Sequence, residues 1–290
     1  MRAIQLLSCP VCGGALSSDG KSFFCVGGAR RHTFDVAASG YVNLLPPGRG
    51  GNAKSGDDRN MISSRSRFLD GGYYLPVSER SAAIVSRIAA EKGQSGLSFA
   101  DCACGEGYHT CNIFRLLTEE GFSVCCVGFD ASKYGADRAA RRARRIEGAQ
   151  GAVFFGAGNI FRLPVKSRAF DFALSIFAPV AWDEMRRILK EDGRLIVASS
   201  GERHLFELRE LLYDEPRGAS GTVRAPEDFA LESEETLSCR VRIDGGEDVI
   251  SLFGMTPFYY RTSREGAKRL ASVDSLEVTV EVKFSVFAPR

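Results

Sequence analysis

Apolar residues follow two rhythms along this chain. Short continuous runs at LSFADCAC (97–104), SVCCVGFD (123–130), AVFFGAG (152–158), FDFALSIFAP (170–179) and RLIVASS (194–200) predict buried strands. Stretches of helical period lie between them. Ser78 ahead of Glu79 predicts an N-cap, Ile84, Val85 and Ile88 share one face, and Gly93 predicts the stop. A second helix runs from GEGYHT through Ile113, Leu116 and Leu117. A third fills 133–147, and a fourth spans Glu184–Leu189 and ends in the turn KEDG. Strands alternating with helices imply a parallel sheet with right-handed crossovers. The tail differs: TLSCRVRIDG and SLEVTVEVKFSVFAP alternate with period two, predicting two antiparallel strands at the sheet edge.

Three regions emerge. Residues 1–45 are short, glycine-punctuated and knuckle-like, 46–78 read as a linker loop that orders over a ligand or partner, and 79–290 carry the α/β alternation. An apolar fraction of 44% and a charged fraction of 26% suit a soluble globular protein. No run reaches the roughly 18–20 apolar residues of a membrane span, and no signal peptide is legible. The expected compartment is therefore the cytoplasm, with no membrane partner. With 38 Lys and Arg against 36 Asp and Glu, total charge neither requires nor excludes a nucleic acid. Locally, Arg138, Arg141, Arg142, Arg144 and Arg145 mark one helix, as either a phosphate-contacting or a solvated face.

Nine cysteines in a leaderless chain argue against a disulfide framework. Cys102, Cys104, Cys111, Cys125 and Cys126 read as buried small hydrophobes. Cys9-x2-Cys12, Cys25 and His32 offer three thiolates and an imidazole, a soft tetrahedral set that selects structural zinc. A redox pair is the competing reading of the thiols, and Asp35 is the weaker fourth ligand. About 45 residues cannot build a core alone, so metal would supply folding energy.

Asp101-Cys-Ala-Cys-Gly105-Glu106-Gly107 follows the first strand of the alternation and opens a helix. Glycines at 105 and 107 let the backbone approach a ligand, and the helix N-terminus faces it. Asp130 closes the next strand, where an acid grips ribose hydroxyls in doubly wound folds. Thr110 breaks the dinucleotide pattern G-x-G-x-x-G, so a nucleoside without pyrophosphate suits the loop better. D-x-x-C-G-E-G resembles motif I of the class I S-adenosylmethionine-dependent methyltransferases. The resemblance implies Asp101, Gly105 and Gly107 under the methionine portion, Asp130 on the ribose, and Asn159 and Ile160 at the adenine. Phe177, Ala178 and Pro179 then stand on the side of the methyl acceptor. Ala103 occupies a position where such proteins usually carry Gly.

The knuckle, HTFDVAASGYVNLLPP, GDDRNMISSRSRFLDGGYYLPV, DCACGEGYHT, GERHLFELRELLYDE and MTPFYYR together resemble the RlmA-type 23S rRNA (guanine-N1)-methyltransferases, in order and over nearly the whole chain. The resemblance implies a Rossmann-like class I methyltransferase fold with a seven-stranded mixed sheet and a small N-terminal zinc-binding, RNA-recognising domain. It implies S-adenosylmethionine and structural Zn²⁺ as cofactors, 23S rRNA as partner, and a homodimer as a further possibility. It also carries over cofactor-side contacts at Tyr74, Glu106, His109, Thr110 and His204. The chain departs from the family at Val-Ala-Trp after Pro179, where Cys-Lys is common, and in a longer Cys–His spacing.

Methyl transfer from a sulfonium is an in-line displacement, so positioning dominates. Guanine N1 must lose a proton, for which Asp35, Glu106 and the carbonyls around Phe177–Pro179 are candidate acceptors. Tyr41, Tyr73, Phe177 and Trp182 are candidate stacking partners for an extruded base. A small-molecule or protein methyltransferase, and a non-catalytic RNA-binding module, are the competing classes.

Overall fold

The computed structural model describes residues 2–26, 30–46, 56–216, 218, 221 and 223–290; the glycine-rich part of the expected linker, 47–55, lies outside them. The segment Gly96–Cys102 forms a strand buried at every position but the first, so it must be covered on both faces and paired on both edges. An N-terminal ribbon precedes it: β1 (Leu16–Ser18), β2 (Ser22–Cys25) and β3 (Thr33–Asp35) form an antiparallel sheet of three strands. Then come β4 (Val42–Asn43), α1 (Arg59–Asp70) and α2 (Leu75–Glu91). The buried strand itself is β5 (Gly96–Cys102). Beyond it lie α3 (Tyr108–Glu119), β6 (Ser123–Asp130), α4 (Lys133–Ala143), β7 (Val153–Ala157), β8 (Phe170–Ile176), α5 (Trp182–Ile188) and β9 (Leu189–Ser200). The chain ends with α6 (Phe206–Leu212), β10 (Phe229–Asp244), α7 (Gly246–Gly254), α8 (Arg264–Ala271) and β11 (Ser275–Pro289).

The main sheet has the order β10-β11-β9-β8-β5-β6-β7-β4. Its central strands run parallel, and β11 runs antiparallel between β9 and β10. Seven of these strands form the class I methyltransferase sheet expected from the sequence; the eighth, β4, is an addition. Of the two tail strands only β10 takes the outer edge, since β11 is bonded to both β10 and β9. One sheet face is covered by α2, α3, α6, α7 and α8. The other is covered by α5 and by the N-terminal segment, whose Leu7, Leu16, Cys25, Val42 and Leu44 share a core with Phe129, Phe154 and Val165. Backbone bonds reinforce that junction, from Ala3 N to Gly151 O (2.8 Å), Lys166 N to Leu6 O (2.9 Å) and Leu44 N to Ala157 O (2.9 Å).

Four local expectations change. Helix α2 begins at Leu75, with Pro76 in its first turn, so Ser78 lies inside the helix and not at its cap. Helix α4 stops at Ala143, four residues early. The KEDG segment belongs to β9, looped out where the register shifts between Phe170 and Phe172. The expected linker contains α1, capped by Asp58, whose side chain accepts from Asn60 N and Met61 N. The five central cysteines are buried as expected, and burial pushes their thiols up, Cys125 to about 11. No helix among the described residues is long and apolar enough to cross a membrane.

Candidate functional site

The turn after β5 is held by one carboxylate. Asp130, at the end of β6, accepts from Gly105 N through Oδ2 (2.9 Å) and from Ser132 N through Oδ1 (2.7 Å). Burial pushes its pKa up, and those two N–H donors oppose the shift. Ala103 N and Cys104 N both donate to Phe129 O, which bends the chain sharply. Ala103, Gly105 and Gly107 all have positive φ (+68°, +56° and +76°). Behind the turn the Thr110 hydroxyl donates to Asp101, whose carboxyl burial pushes to about 7.

The two glycines do different work. At Gly105 a Cβ would meet only the Arg65 side chain, at 3.3 Å, so this position is open for a ligand to approach. At Gly107 it would lie 2.7 Å from Ala139 Cβ and 2.9 Å from the Phe155 ring. Gly107 therefore allows α4 and β7 to close against the loop, a packing role beside the cofactor contact that the motif implies. Asn159 and Ile160 follow β7 beside Asp130, since Gly158 N donates to Asp130 O (2.9 Å). Asn159 is exposed and accepts from Phe161 N, while Ile160 packs on the core. Glu106 is buried and turned toward Arg142, with Nη2 3.6 Å from Oε1. Burial raises its pKa and Arg142 opposes the rise.

A second group gathers around Tyr74, at the start of α2. The Tyr74 hydroxyl and His204 Nε2 are 3.0 Å apart, and Phe177 lies against both rings, at centroid distances of 5.8 and 5.2 Å. Burial keeps His204 neutral, lowering its pKa to about 4, and raises that of the Tyr74 phenol. Phe177 is 38% exposed with φ +54°, a conformation that costs a non-glycine residue on the order of 1–3 kcal/mol and that clusters at functional sites. His109 is half-buried on α3 and shares a 2.8 Å hydrogen bond with Ser78, whose side chain serves this contact in place of a cap. Burial lowers the His109 pKa to about 3.

Three of the four candidate stacking rings are committed elsewhere. Tyr73 stacks on Phe68 and donates to Asp248 (3.0 Å), Trp182 packs edge-on against Phe229 and Phe287, and Tyr41 packs, half-buried, against the small cluster that α4 forms with Cys104, Cys111 and Phe155. Phe177 is the one of the four left at the surface, beside Tyr74 and His204. Of the candidate proton acceptors, Asp35 accepts from Ser22 on the ribbon, Glu106 faces Arg142, and Ala178 O already accepts from Ser175.

The roof over this loop is not legible in the sequence. Ser132 Oγ donates to Asp57 O (2.7 Å), and Arg65 of α1 pairs with Asp57. Arg67 and Tyr73 both bond Asp248 of α7, and a Cβ on Gly254 would be 2.9 Å from Ser64 Oγ, so α7 packs tightly on α1. The Met255-Thr-Pro-Phe258 motif leads out of α7 into a short 3-10 helix whose Tyr260 reaches Met61 of α1. The polar, glycine-rich start of the segment hides α1; its signal is Asp58 with Ile62, Phe68 and Leu69 after it.

The ligand atoms of Cys9, Cys12, Cys25 and His32 lie within 4.8 Å of one another. His32 Nδ1 is 3.7 Å from Cys9 Sγ and 3.4 Å from Cys25 Sγ. Zn–S bonds of about 2.3 Å and Zn–N bonds of about 2.0 Å set tetrahedral ligands about 3.5–3.8 Å apart, so this donor set fits zinc. The Gly14 N–H helps hold the exposed Cys12 thiol down to about 7, the thiolate side needed for a metal, while burial raises that of Cys9. Asp35 is not in the cluster.

Residues 7–49 match the family described as RlmA, N-terminal, a zinc ribbon, and residues 94–236 match a methyltransferase domain. The chain is 32% identical to the 23S rRNA (guanine(748)-N(1))-methyltransferase of Streptomyces fradiae, over 99% of this chain and 98% of that one. The chain belongs to this RlmA-type family. It is also 29% identical to YxjB of Bacillus subtilis (strain 168), over 96% of this chain and 95% of that one; the name of YxjB carries a 23S rRNA (guanine-N(1)-)-methyltransferase assignment provisionally. The RlmA-type matches thus span both the ribbon and the sheet with its glycine loop.

Proposed function

We propose that this protein methylates guanine N1 in a 23S rRNA hairpin, in the cytoplasm, with S-adenosylmethionine as donor. The observation that carries the reading is the pairing of a four-ligand Cys–His ribbon with a glycine loop closed on Asp130 in one chain. S-adenosylmethionine, when bound, supplies a methyl group on a sulfonium. Asp130 accepts the ribose hydroxyls, and the open backbone at Gly105 with Asp101 and Thr110 behind it lies beside the methionine portion. Asn159 and Ile160 border the adenine. Tyr74 and His204 hold Phe177 in its strained conformation, so that its exposed ring can stack on an extruded guanine. Neutral His204 and His109 add no positive charge beside the sulfonium. Cys9, Cys12, Cys25 and His32 hold a structural zinc with no open position, so the metal shapes the RNA-facing ribbon and takes no part in methyl transfer.

Mass mapping of 23S rRNA from cells with and without this gene tests the reading. A single methylguanosine that disappears with the gene and returns with purified protein and S-adenosylmethionine is expected. An unchanged 23S rRNA would overturn it.

A further inference from the structure

Helix α4 and the turn that ends it carry arginines at positions i, i+3, i+4 and i+7, namely Arg138, Arg141, Arg142 and Arg145. With Asp70 at the end of α1 they line one notch of about 140 Å³. Two of the four are fixed by internal partners. Arg141 Nε donates to Asp137 (2.8 Å). Arg142 Nη1 pairs with Asp70 (2.7 Å), Nε donates to Glu106 O (3.3 Å), and the guanidinium lies 5.4 Å from the Tyr108 ring centre. Arg138 and Arg145 are exposed and have no ion pair among the described residues. Asp70, Asp137 and Glu106 are taken up by Arg141 and Arg142, so the excess positive charge in this concave space is that of Arg138 and Arg145, which face no carboxylate among the described residues. Anchored Arg141 and Arg142 give it a rigid floor, and Arg138 and Arg145 keep free donors at its rim.

We infer that this notch is a seat for a backbone phosphate of the RNA substrate. This rests on the RNA-methylating reading above. The chemistry favours a phosphate over a carboxylate ligand because several guanidinium forks converge on one small volume, matching an anion with several acceptor oxygens. Along the helix the seat begins about 9 Å and ends about 20 Å from Ser132, beside the Asp130 carboxylate. Asp70, which lines the seat, precedes Tyr74 by four residues, and the Tyr74 ring lies 5.8 Å from that of Phe177; the seat can therefore hold the strand flanking a guanine presented at Phe177 and set its register, while carrying no base specificity. Asp70 ties the seat to α1, the roof of the cofactor loop.

The test is the double variant Arg138→Gln/Arg145→Gln, whose side chains make no ion pair or hydrogen bond among the described residues. Filter binding of a transcribed 23S rRNA hairpin is measured across a KCl series, with S-adenosylhomocysteine affinity measured on the same preparations. The seat requires RNA affinity to fall about ten-fold near 0.1 M salt and the log–log salt slope to flatten by about one to two units. S-adenosylhomocysteine affinity should not move, which also reports an intact fold. A wild-type protein that methylates the hairpin beside a variant with an unchanged slope overturns the seat alone. A wild-type protein that neither binds nor methylates the RNA overturns the reading beneath it.

Discussion

The Tyr74 hydroxyl and His204 Nε2, 3.0 Å apart, join the start of α2 to the loop after β9, and both side chains are buried. Tyr74→Phe keeps the ring packing against Phe68 and removes only the hydroxyl. The imidazole is then left with an unmade hydrogen bond in a dry site. Unfolding free energy should fall by about 1–3 kcal/mol, read from the urea midpoint at constant slope. An unchanged midpoint would show that the contact contributes nothing.

Burial lowers the His204 pKa to about 4, below its unfolded value of 6.5. The unfolded chain therefore binds the extra proton first as pH falls. The contribution of the neutral imidazole is fully present above pH 6.5 and is lost as pH drops toward 4, amounting to about 3 kcal/mol. Asp101 has the opposite sign, since its carboxyl is raised to about 7 and its ionisation disfavours the fold as pH rises. The difference between wild type and His204→Asn isolates the imidazole. The stability gap between them should change between pH 7 and pH 4, with the variant less sensitive to acid, and parallel curves would contradict the assignment.

Asp130→Asn leaves a single acceptor oxygen and turns an NH2 group toward either Gly105 N or Ser132 N. A charged acceptor is lost both from the loop and from the proposed ribose contact. S-adenosylhomocysteine affinity measured by calorimetry should fall by about 1.5–3 kcal/mol, a factor of ten or more. Equal affinity would remove Asp130 from the cofactor site.

Ala103 holds φ +68°, which its Cβ disfavours by about 1–2 kcal/mol. Glycine removes that cost but gains freedom in the unfolded chain, so Ala103→Gly should stabilise by about 0.5–1 kcal/mol. For a chain of this size the melting temperature should rise by about 2 °C. A lower value would mean the Cβ makes a compensating contact.

Cys12→Ser removes one corner of the ligand set. Zinc measured by atomic emission should fall from about one per chain to well below that. The loss should also reach the main sheet, because Leu7, Val42 and Leu44 share a core with Phe129 and Val165. Hydrogen exchange at Phe154–Ala157 should accelerate along with the ribbon; unaltered protection there would mean the two parts are energetically separate.

What the sequence makes legible tracks burial. Strands β5 to β9 are covered on both faces, so they read as unbroken apolar runs, and the acid at the end of β6 can be located by counting. The ligand set is legible because thiolates and imidazole leave few other uses for that spacing. Three things are hidden because their causes are tertiary. Ser78 has a good capping side chain, yet Pro76 starts the helix earlier and the hydroxyl goes to His109 instead. Gly107 has the look of a ligand-facing glycine, and only the approach of Ala139 and Phe155 reveals its packing role. Which of Tyr41, Tyr73, Phe177 and Trp182 stays uncommitted depends on neighbours more than a hundred residues away for Tyr73, and no local pattern records that.

Strand β4 is only two residues long, yet it pairs with Gly156 and Ala157 along the outer side of β7. A bare β7 would present unpaired backbone groups next to the apolar Phe154 and Phe155, a template for another chain to add to. The segment that supplies this cover is the one folded around the four metal ligands. On the proposed zinc-binding reading, the metal supply would also guard colloidal behaviour: protein made without zinc is expected to self-associate through that uncovered edge.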